Sequence, residues 1–151
     1  MKKLKTIATG VFLIACLSSS AQEKTPLNEP DHNKPKLFAD LPAKMNLKVS
    51  EMEQLFNYAV GAPVTVKATE NLSLEGTVVS KSENASVKSV VVRASNRQGA
   101  IFTFTKTANA DGTPRYVGRM LNRNNGDAFE ISQENGQYVL LKKNLYDLVA
   151  E

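Results

Sequence analysis

From Val64 onwards, apolar and polar residues alternate with a period of two, which is typical of β-strands that face a core on one side. Val64 and Val66 alternate with threonine and lysine, and Phe102 and Phe104 alternate with threonines. Seven runs of this kind predict strands at approximately 64–69, 72–78, 87–95, 102–107, 115–122, 128–133 and 137–143. The pattern therefore predicts a mainly β (α+β) domain.

Short segments rich in turn-forming residues separate these runs. They are Asn96–Gly99, Asp111-Gly112, Asn125-Gly126 and Asn135-Gly136, and each offers residues that tolerate positive φ. Consecutive strands joined by tight turns pair with each other, so we expect an antiparallel meander. Curling of this meander into a barrel-like sheet would protect its edges.

A short amphipathic helix is predicted before the first strand. Ser50 and Glu53 have the spacing of a capping box, and Gly61 and Pro63 are expected to end the helix. One apolar face lies between them, formed by Met52, Leu55, Phe56 and Ala59. We therefore expect a helix from Glu51 to about Ala59 that packs on the sheet. A second short helix is predicted after Asn144, with Leu145, Leu148 and Val149 on its apolar face.

Residues 1–21 have the features of a secretory signal peptide. Three lysines precede an apolar run over residues 7–17, and small residues at 18–21 favour cleavage before Gln22. The run is too short to span a membrane, so no transmembrane span is expected in the mature chain. Residues 13–16 also resemble a bacterial lipobox, which would place a lipid anchor on Cys16. Periplasmic, outer-membrane-associated and secreted locations all remain open.

The rest of the chain divides into a linker and one domain. Residues 22–36 contain Pro26, Pro30 and Pro35 among polar and charged residues, a composition that predicts a disordered linker. Residues 37–151 are of the commonest domain size, and we expect them to form a single mostly β domain.

The apparent basicity of the chain comes mostly from the leader. Three of the nineteen basic residues lie there and none of the fifteen acidic ones do, so the mature chain has a net charge of about +1. Such a chain has no overall field to attract nucleic acid, and no nucleic-acid partner is predicted. The middle of the domain is nevertheless basic, because Lys88 to Arg123 contains seven basic residues and only one acid, Asp111.

The predicted domain lacks the residues of several common kinds of active site. The only cysteine is Cys16 and the only histidine is His32, which lies in the predicted linker. Ser-His-Asp and Cys-His catalysis and the usual zinc sites are therefore excluded from residues 37–151. Residues 122–127 resemble a calcium loop weakly, but their glycine is out of phase and a hairpin turn is expected instead. We predict no catalytic residue, cofactor or metal.

Four arginines are the candidate binding residues. If Tyr116 and Met120 point inwards, then Arg115, Arg119 and Arg123 share the opposite face of one strand, about 13 Å apart. Arg93 would join them from a neighbouring strand. This basic face would suit an anionic partner, but it would also fit an ordinary solvated surface whose arginine stems cover apolar neighbours.

Three functions follow from these observations. The leading prediction is a non-catalytic, exported bacterial module that binds a protein, a glycan or another anionic surface component. The first alternative is a carrier of a small apolar ligand, held inside the curled sheet by Phe102, Phe104, Tyr116, Met120, Phe129 and Tyr138. The second alternative is a hydrolase with two carboxylates, for which Glu75 and Glu130 are the candidates. No residue motif indicates a known family.

Overall fold

The computed structural model describes residues 33–149, most of which belong to a single antiparallel sheet. Its strands are β1 (Lys44–Asn46), β2 (Pro63–Lys67), β3 (Ser73–Glu83), β4 (Val87–Ala94), β5 (Ile101–Ala108), β6 (Pro114–Leu121), β7 (Asp127–Glu134) and β8 (Gln137–Asn144). The helices are α1 (Val49–Glu53), a 3₁₀ turn (Gln54–Asn57) and α2 (Leu145–Val149). The predicted signal peptide, Cys16, His32 and most of the predicted linker lie outside the described residues.

The period-two pattern identified seven of the eight strands correctly. In β2, Val64 and Val66 are buried while the residues between them are exposed, as the alternation requires. Strands β2 to β8 correspond to the seven predicted runs, so the mainly β fold class is confirmed. Strand β1 was missed because its three residues are too few to show a period.

Three of the four predicted turns contain backbone in the left-handed region. Positive φ angles occur at Gly99, Gly112 and Gly136, and at Asn135. Gly126 does not adopt this conformation, so the expectation of a positive φ at the Asn125-Gly126 turn was wrong. A Cβ atom there would lie 3.1 Å from the Lys34 carbonyl oxygen, which shows that Gly126 permits close approach of the N-terminal segment.

The sheet is curled into a half-barrel with strand order β1-β8-β7-β6-β5-β4-β3-β2. Every neighbouring pair is antiparallel. The two edge strands approach each other at one end, where the Lys48 N–H donates to the Ala68 carbonyl at 2.8 Å. The Thr69 hydroxyl also lies 3.5 Å from the Met45 sulfur. The predicted curling of the meander is therefore confirmed, and it brings the inward-facing apolar residues into one core.

Helix α1 and the 3₁₀ turn pack on the concave face of the sheet. Met52 and Leu55 are fully buried, and Phe56 stacks on Phe104 with ring centroids 5.3 Å apart. The predicted cap was wrong, because Ser50 lies inside the helix and makes no capping hydrogen bond. The helical segment also ends at Asn57, two residues early, and so Ala59, predicted to be buried, is exposed.

The segment before β1 closes one end of the half-barrel. Phe38 is fully buried and its ring packs on Phe129 at a centroid distance of 5.0 Å. The Lys142 ammonium donates to the carbonyl oxygens of Phe38 and Leu41, both at 2.5 Å, and fixes this segment to β8. The Lys34 ammonium adds a further contact, because it donates to the Arg123 carbonyl at 3.1 Å.

Helix α2 covers part of the outer, convex face. Leu145 and Leu148 form a small buried cluster with Ala128, and Leu121 packs against it. Leu121 and Ala128 are paired on β6 and β7, and both point away from the main core. On the outer face of the sheet, helix α2 therefore buries a small apolar patch that lies close to the arginines.

Candidate functional site

The structure places three of the four candidate arginines on the outer face of the sheet. Arg93 lies on β4, and Arg115 and Arg119 lie on β6, where Tyr116 and Met120 are buried as the alternation predicted. Arg123 falls two residues after the end of β6, in the turn that leads to β7. The four residues are thus near one another in the sheet, but they do not form one continuous row on one strand.

Arg119 is committed to structural contacts. Its Nε and Nη2 atoms donate to Oε1 of Glu130 at 3.3 and 3.2 Å, and its Nη1 atom donates to the Leu148 carbonyl at 3.2 Å. It therefore joins β6, β7 and the end of α2. A helix C-terminus favours a cation at this position, because its last carbonyl groups are otherwise without donors.

Other basic residues of the middle segment are also paired. The Arg97 guanidinium donates two hydrogen bonds of 2.8 Å to Asp40 and holds the pKa of that carboxyl below its ordinary value. Lys88 pairs with Glu83, and Lys106 pairs with Glu53. By contrast, Arg93, Arg115 and Arg123 are exposed and form no ion pair with any other residue in the range 33–149.

The strand register shows how these three arginines are arranged. Arg93 pairs with Ile101 on β5, and Ile101 pairs with Leu121 on β6, so Arg93 lies level with Leu121 at a backbone separation of about 10 Å. Its position along the sheet is between those of Arg119 and Arg123. The three exposed arginines therefore lie on β4, on β6 and in the turn after β6.

Strands β6 and β7 separate beyond the pair formed by Arg119 and Glu130. Their paired residues are Leu121 with Ala128, Met120 with Phe129, and Arg119 with Glu130; the pairing ends there although each strand has eight residues. We call the gap between Pro114–Gly118 of β6 and Ile131–Glu134 of β7 the fork. A cleft of about 660 Å³ lies at the fork, and its polar lining includes Thr103, Thr105, Arg115, Ser132 and Gln133.

Tyr138 occupies the inner side of the fork. Its hydroxyl accepts a hydrogen bond from the Tyr116 N–H at 3.3 Å and donates one to the Pro114 carbonyl at 3.4 Å. Its ring packs edge-on against Tyr116, with centroids 5.1 Å apart and an interplanar angle of 89°. A side chain from β8 thus takes the position in which a neighbouring strand would meet β6.

Gly118 marks the point where the two strands begin to separate. A Cβ atom on Gly118 would lie 2.9 Å from Cδ1 of Ile131 and 2.3 Å from the Thr103 carbonyl oxygen. The missing side chain therefore allows Ile131 to pack directly on the β6 backbone. An isolated glycine within a strand pattern is a signal of such close approach, and it is the one sign of the fork that the sequence contains.

A smaller depression of about 480 Å³ lies next to the fork. It shares Thr103 and Arg119 with the cleft and reaches Leu121 and Arg123. We call the two depressions together the outer trough. Its two ends are marked by Arg115 and Arg123, and the Arg119–Glu130 ion pair lies between them.

The two candidate hydrolase residues are far apart. Glu75 lies on β3 and Glu130 on β7, and three strands separate them in the sheet. Four strand spacings correspond to about 19 Å, whereas glycosidases hold their two carboxyl groups about 5 to 10 Å apart. Glu130 is also paired with Arg119. The structure therefore does not bring these two carboxylates together.

The side chains proposed to line an apolar ligand site pack against one another. Phe104 stacks on Tyr116 at 5.6 Å and lies 6.3 Å from Phe102 between ring centroids. Met120 and Phe129 are fully buried in the same core, and Tyr138 contacts Tyr116. Together with the helical residues Met52 and Leu55, these side chains occupy the concave side of the half-barrel.

In the turn at residues 122–127, the Asp127 carboxylate binds the backbone of the N-terminal segment. Asp127 is buried and accepts hydrogen bonds from the N–H groups of Leu37 at 2.6 Å and Phe38 at 3.0 Å. The turn joins β6 to β7, as the hairpin interpretation predicted. Within residues 33–149, no three histidine, cysteine or acidic side chains are grouped so that they would hold a metal ion.

The described part of the chain contains no helix long and apolar enough to cross a membrane. Comparison with protein families, curated proteins and solved structures gives no match to this chain.

Proposed function

We propose that this chain is a non-catalytic, exported module that binds an anionic partner through its outer trough. The observation that carries the proposal is the exposure of Arg115 and Arg123, which have no acidic partner within residues 33–149. Arg115 lines the cleft of about 660 Å³ and Arg123 lines the neighbouring depression. Arg93, which is also exposed and without an acidic partner in that range, lies on the same outer face on β4. Export is supported by the composition of residues 1–21.

The pairing of the other arginines supports this choice of surface. Seven ion pairs join basic and acidic side chains within residues 33–149, and they include those of Arg97 and Arg119, the other two arginines of that range. An arginine without such a partner keeps all its donors available for carboxylate, sulfate or phosphate groups. The hydroxyl groups of Thr103, Thr105 and Ser132 would add neutral hydrogen bonds in the same cleft.

The packing of the interior favours surface binding over the carrier function. A carrier needs an enclosed apolar space of ligand size, whereas Phe102, Phe104 and Tyr116 are in contact with one another here. An apolar ligand would have to displace these rings from a core that is already packed.

The sharpest test changes Arg115 and Arg123 together to glutamine. Arg119 is left intact, because its loss would also release Glu130 and the end of α2. We expect binding to a sulfated polysaccharide matrix and to immobilised polyglutamate to weaken by about twofold to thirtyfold, since each of the two exposed ionic contacts contributes about 0.2–1 kcal/mol. Retention as a function of salt concentration measures this change.

The matched control is the double change Lys67→Gln and Lys88→Gln. It removes the same amount of charge from exposed residues of β2 and β4 that lie outside the trough. We expect this variant to bind nearly as well as the original protein. An equal loss in both variants would show that only net charge matters and would overturn the proposal.

A further inference from the structure

The two edges of the fork are sections of β-strand that do not pair with each other. In an antiparallel ladder, alternate residues direct their N–H and C=O groups to the same neighbouring strand. Arg115 and Arg119 direct their backbone N–H and C=O groups to β5. The Arg115 carbonyl accepts a hydrogen bond from the Thr107 hydroxyl, and the Arg119 N–H donates one to the Thr103 hydroxyl. Tyr116 and Gly118 therefore direct their N–H and C=O groups into the fork, and Pro114 directs its carbonyl there.

The Tyr138 hydroxyl makes two of the contacts that an added strand would make there. Its hydrogen bonds with the Tyr116 N–H and the Pro114 carbonyl are long, at 3.3 and 3.4 Å, and are therefore weak. A peptide in extended conformation would offer both a carbonyl and an N–H to the same groups with the geometry of a ladder. The Tyr138 hydroxyl therefore occupies the place of a neighbouring strand, and a peptide that forms shorter hydrogen bonds to Tyr116 and Pro114 would displace it.

The side chains along the fork indicate which residues such a peptide would carry. Arg115 and Val117 lie on the same outer face, two positions apart, and Val117 is 38% exposed. Residues opposite each other on neighbouring strands have their side chains in contact. A peptide aligned with β6 would thus place an acidic side chain beside Arg115 and an apolar or β-branched one beside Val117.

We propose that the fork binds an extended segment of a partner protein by strand addition to β6, and that this segment carries an acidic residue two positions from an apolar one. The inference rests on the proposed function and specifies the class of its partner. A protein segment is favoured over a glycan because the backbone groups of Pro114 and Tyr116 lie at the spacing of a strand ladder, which a sugar chain does not reproduce.

The test uses a short acetylated peptide in which serines alternate with one valine and one glutamate. Binding is followed by NMR shifts of the β6 and β7 amides in the intact protein. We expect Arg115→Gln to weaken binding about threefold or more, and the same variant to bind a peptide with glutamine in place of glutamate no differently from the original protein. The same spectra show whether the variant keeps its fold, because an unfolded variant would lose the dispersed amide signals of the original protein.

Methylation of the peptide backbone tests strand addition directly. In an antiparallel alignment the serine N–H groups face β6, so N-methylation of the serines should abolish binding, whereas N-methylation of the glutamate and valine should weaken it less. Tyr138→Phe removes the competing hydroxyl, and we expect it to tighten peptide binding severalfold. A purely structural role of this hydroxyl would instead lower stability without improving binding.

Two results separate this inference from the proposed function. Binding of a sulfated polysaccharide that depends on Arg115 and Arg123, with no binding of the peptide, would overturn strand addition and leave an anion-binding trough. Peptide binding that is indifferent to serine methylation would also overturn strand addition. Absence of any effect of the two arginines on either ligand would overturn both proposals.

Discussion

Phe38 shows how one side chain stabilises the N-terminal segment against the sheet. Its ring is completely buried against Phe129, while the N–H of the same residue donates to the buried carboxylate of Asp127. Hydrophobic burial and a charge-assisted hydrogen bond thus act on one residue. Its backbone carbonyl is held as well, by Lys142.

We expect Phe38→Ala to destabilise the protein by about 3–5 kcal/mol, because it removes a buried aromatic ring and leaves a cavity against Phe129. Denaturation with urea measures the change. Val60→Ala serves as the control, since Val60 is 60% exposed and its truncation should change the free energy of unfolding by less than about 0.5 kcal/mol. Equal stability of the two variants would contradict the packing described for the N-terminal segment.

Arg119 illustrates what residue-level reasoning from the sequence missed. The alternation predicted its outward direction, because that depends only on its neighbours along the strand. Its partners are Glu130 and the Leu148 carbonyl, which lie 11 and 29 residues away in the chain. Whether an outward-facing arginine is free or paired depends on such distant partners, so the pattern alone does not distinguish Arg119 from Arg115.

At the scale of elements, α1 is joined to the sheet by a polar cluster as well as by its apolar face. Glu53 Oε1 accepts hydrogen bonds from the Lys106 ammonium at 2.5 Å and from the Tyr116 hydroxyl at 2.8 Å. The Lys106 hydrogen bond, followed by that of Tyr116, lowers the pKa of Glu53 below the ordinary value of 4.5. Burial, followed by the hydrogen bond to Glu53, raises the pKa of the Tyr116 hydroxyl.

This cluster should make the protein sensitive to acid. The pKa of Glu53 is lower in the folded state than in the unfolded state, so its stabilising effect is complete above pH 4.5 and is lost as the pH falls through the folded-state value. We expect Glu53→Gln to lower stability at pH 6 and to flatten the decline below pH 4.5. Urea midpoints between pH 6 and pH 3 measure both effects.

Glu51→Gln is the matched control on the same helix. Glu51 accepts a hydrogen bond from Gln54 but has no cationic partner within residues 33–149. The control should therefore keep the acid dependence of the original protein. A decline that is the same in both variants would show that the contacts of Glu53 do not set the acid response.

The elements themselves were predictable to the extent that their patterns are long. Strands of five or more residues show the alternation, and all seven were found, whereas the three-residue β1 was not. The start of α1 was misplaced because Ser50 and Glu53 match a capping box, although the chain turns into the helix at Lys48. At this first residue of the helical turn, the Lys48 N–H donates a hydrogen bond to the Ala68 carbonyl across the opening of the half-barrel.

At the scale of the whole molecule, the sheet carries its apolar core on one face and, on the other, Arg93 and Arg115, which form no ion pair within residues 33–149. The inner face is filled by the strands, α1 and the N-terminal segment. The outer face presents the trough, with α2 covering the apolar residues beside it. This separation of faces suits a module whose contacts with other molecules are made at its surface.

The proposed export concerns the whole chain, and it has its own test. We expect the protein recovered from its native host to begin at Gln22, because residues 18–21 form a good cleavage site. Mass spectrometry of the N-terminal peptide measures this. A diacylglyceryl group on Cys16 would instead show that the lipobox is used, and an intact leader on protein retained in the cytoplasm would contradict export.

The sequence by itself determined which segments become strands, which of their faces is buried and where most of the turns lie. These properties follow from neighbouring residues, because a strand exposes alternate side chains whatever its partners are. Only the tertiary structure decided the fork, the pairing of Arg119 and the closure of the half-barrel by Phe38. Each of these depends on contacts between distant parts of the chain, such as the hydrogen bond from Leu37 to Asp127 across 90 residues. No local period encodes such a contact, since it exists only once the sheet has curled.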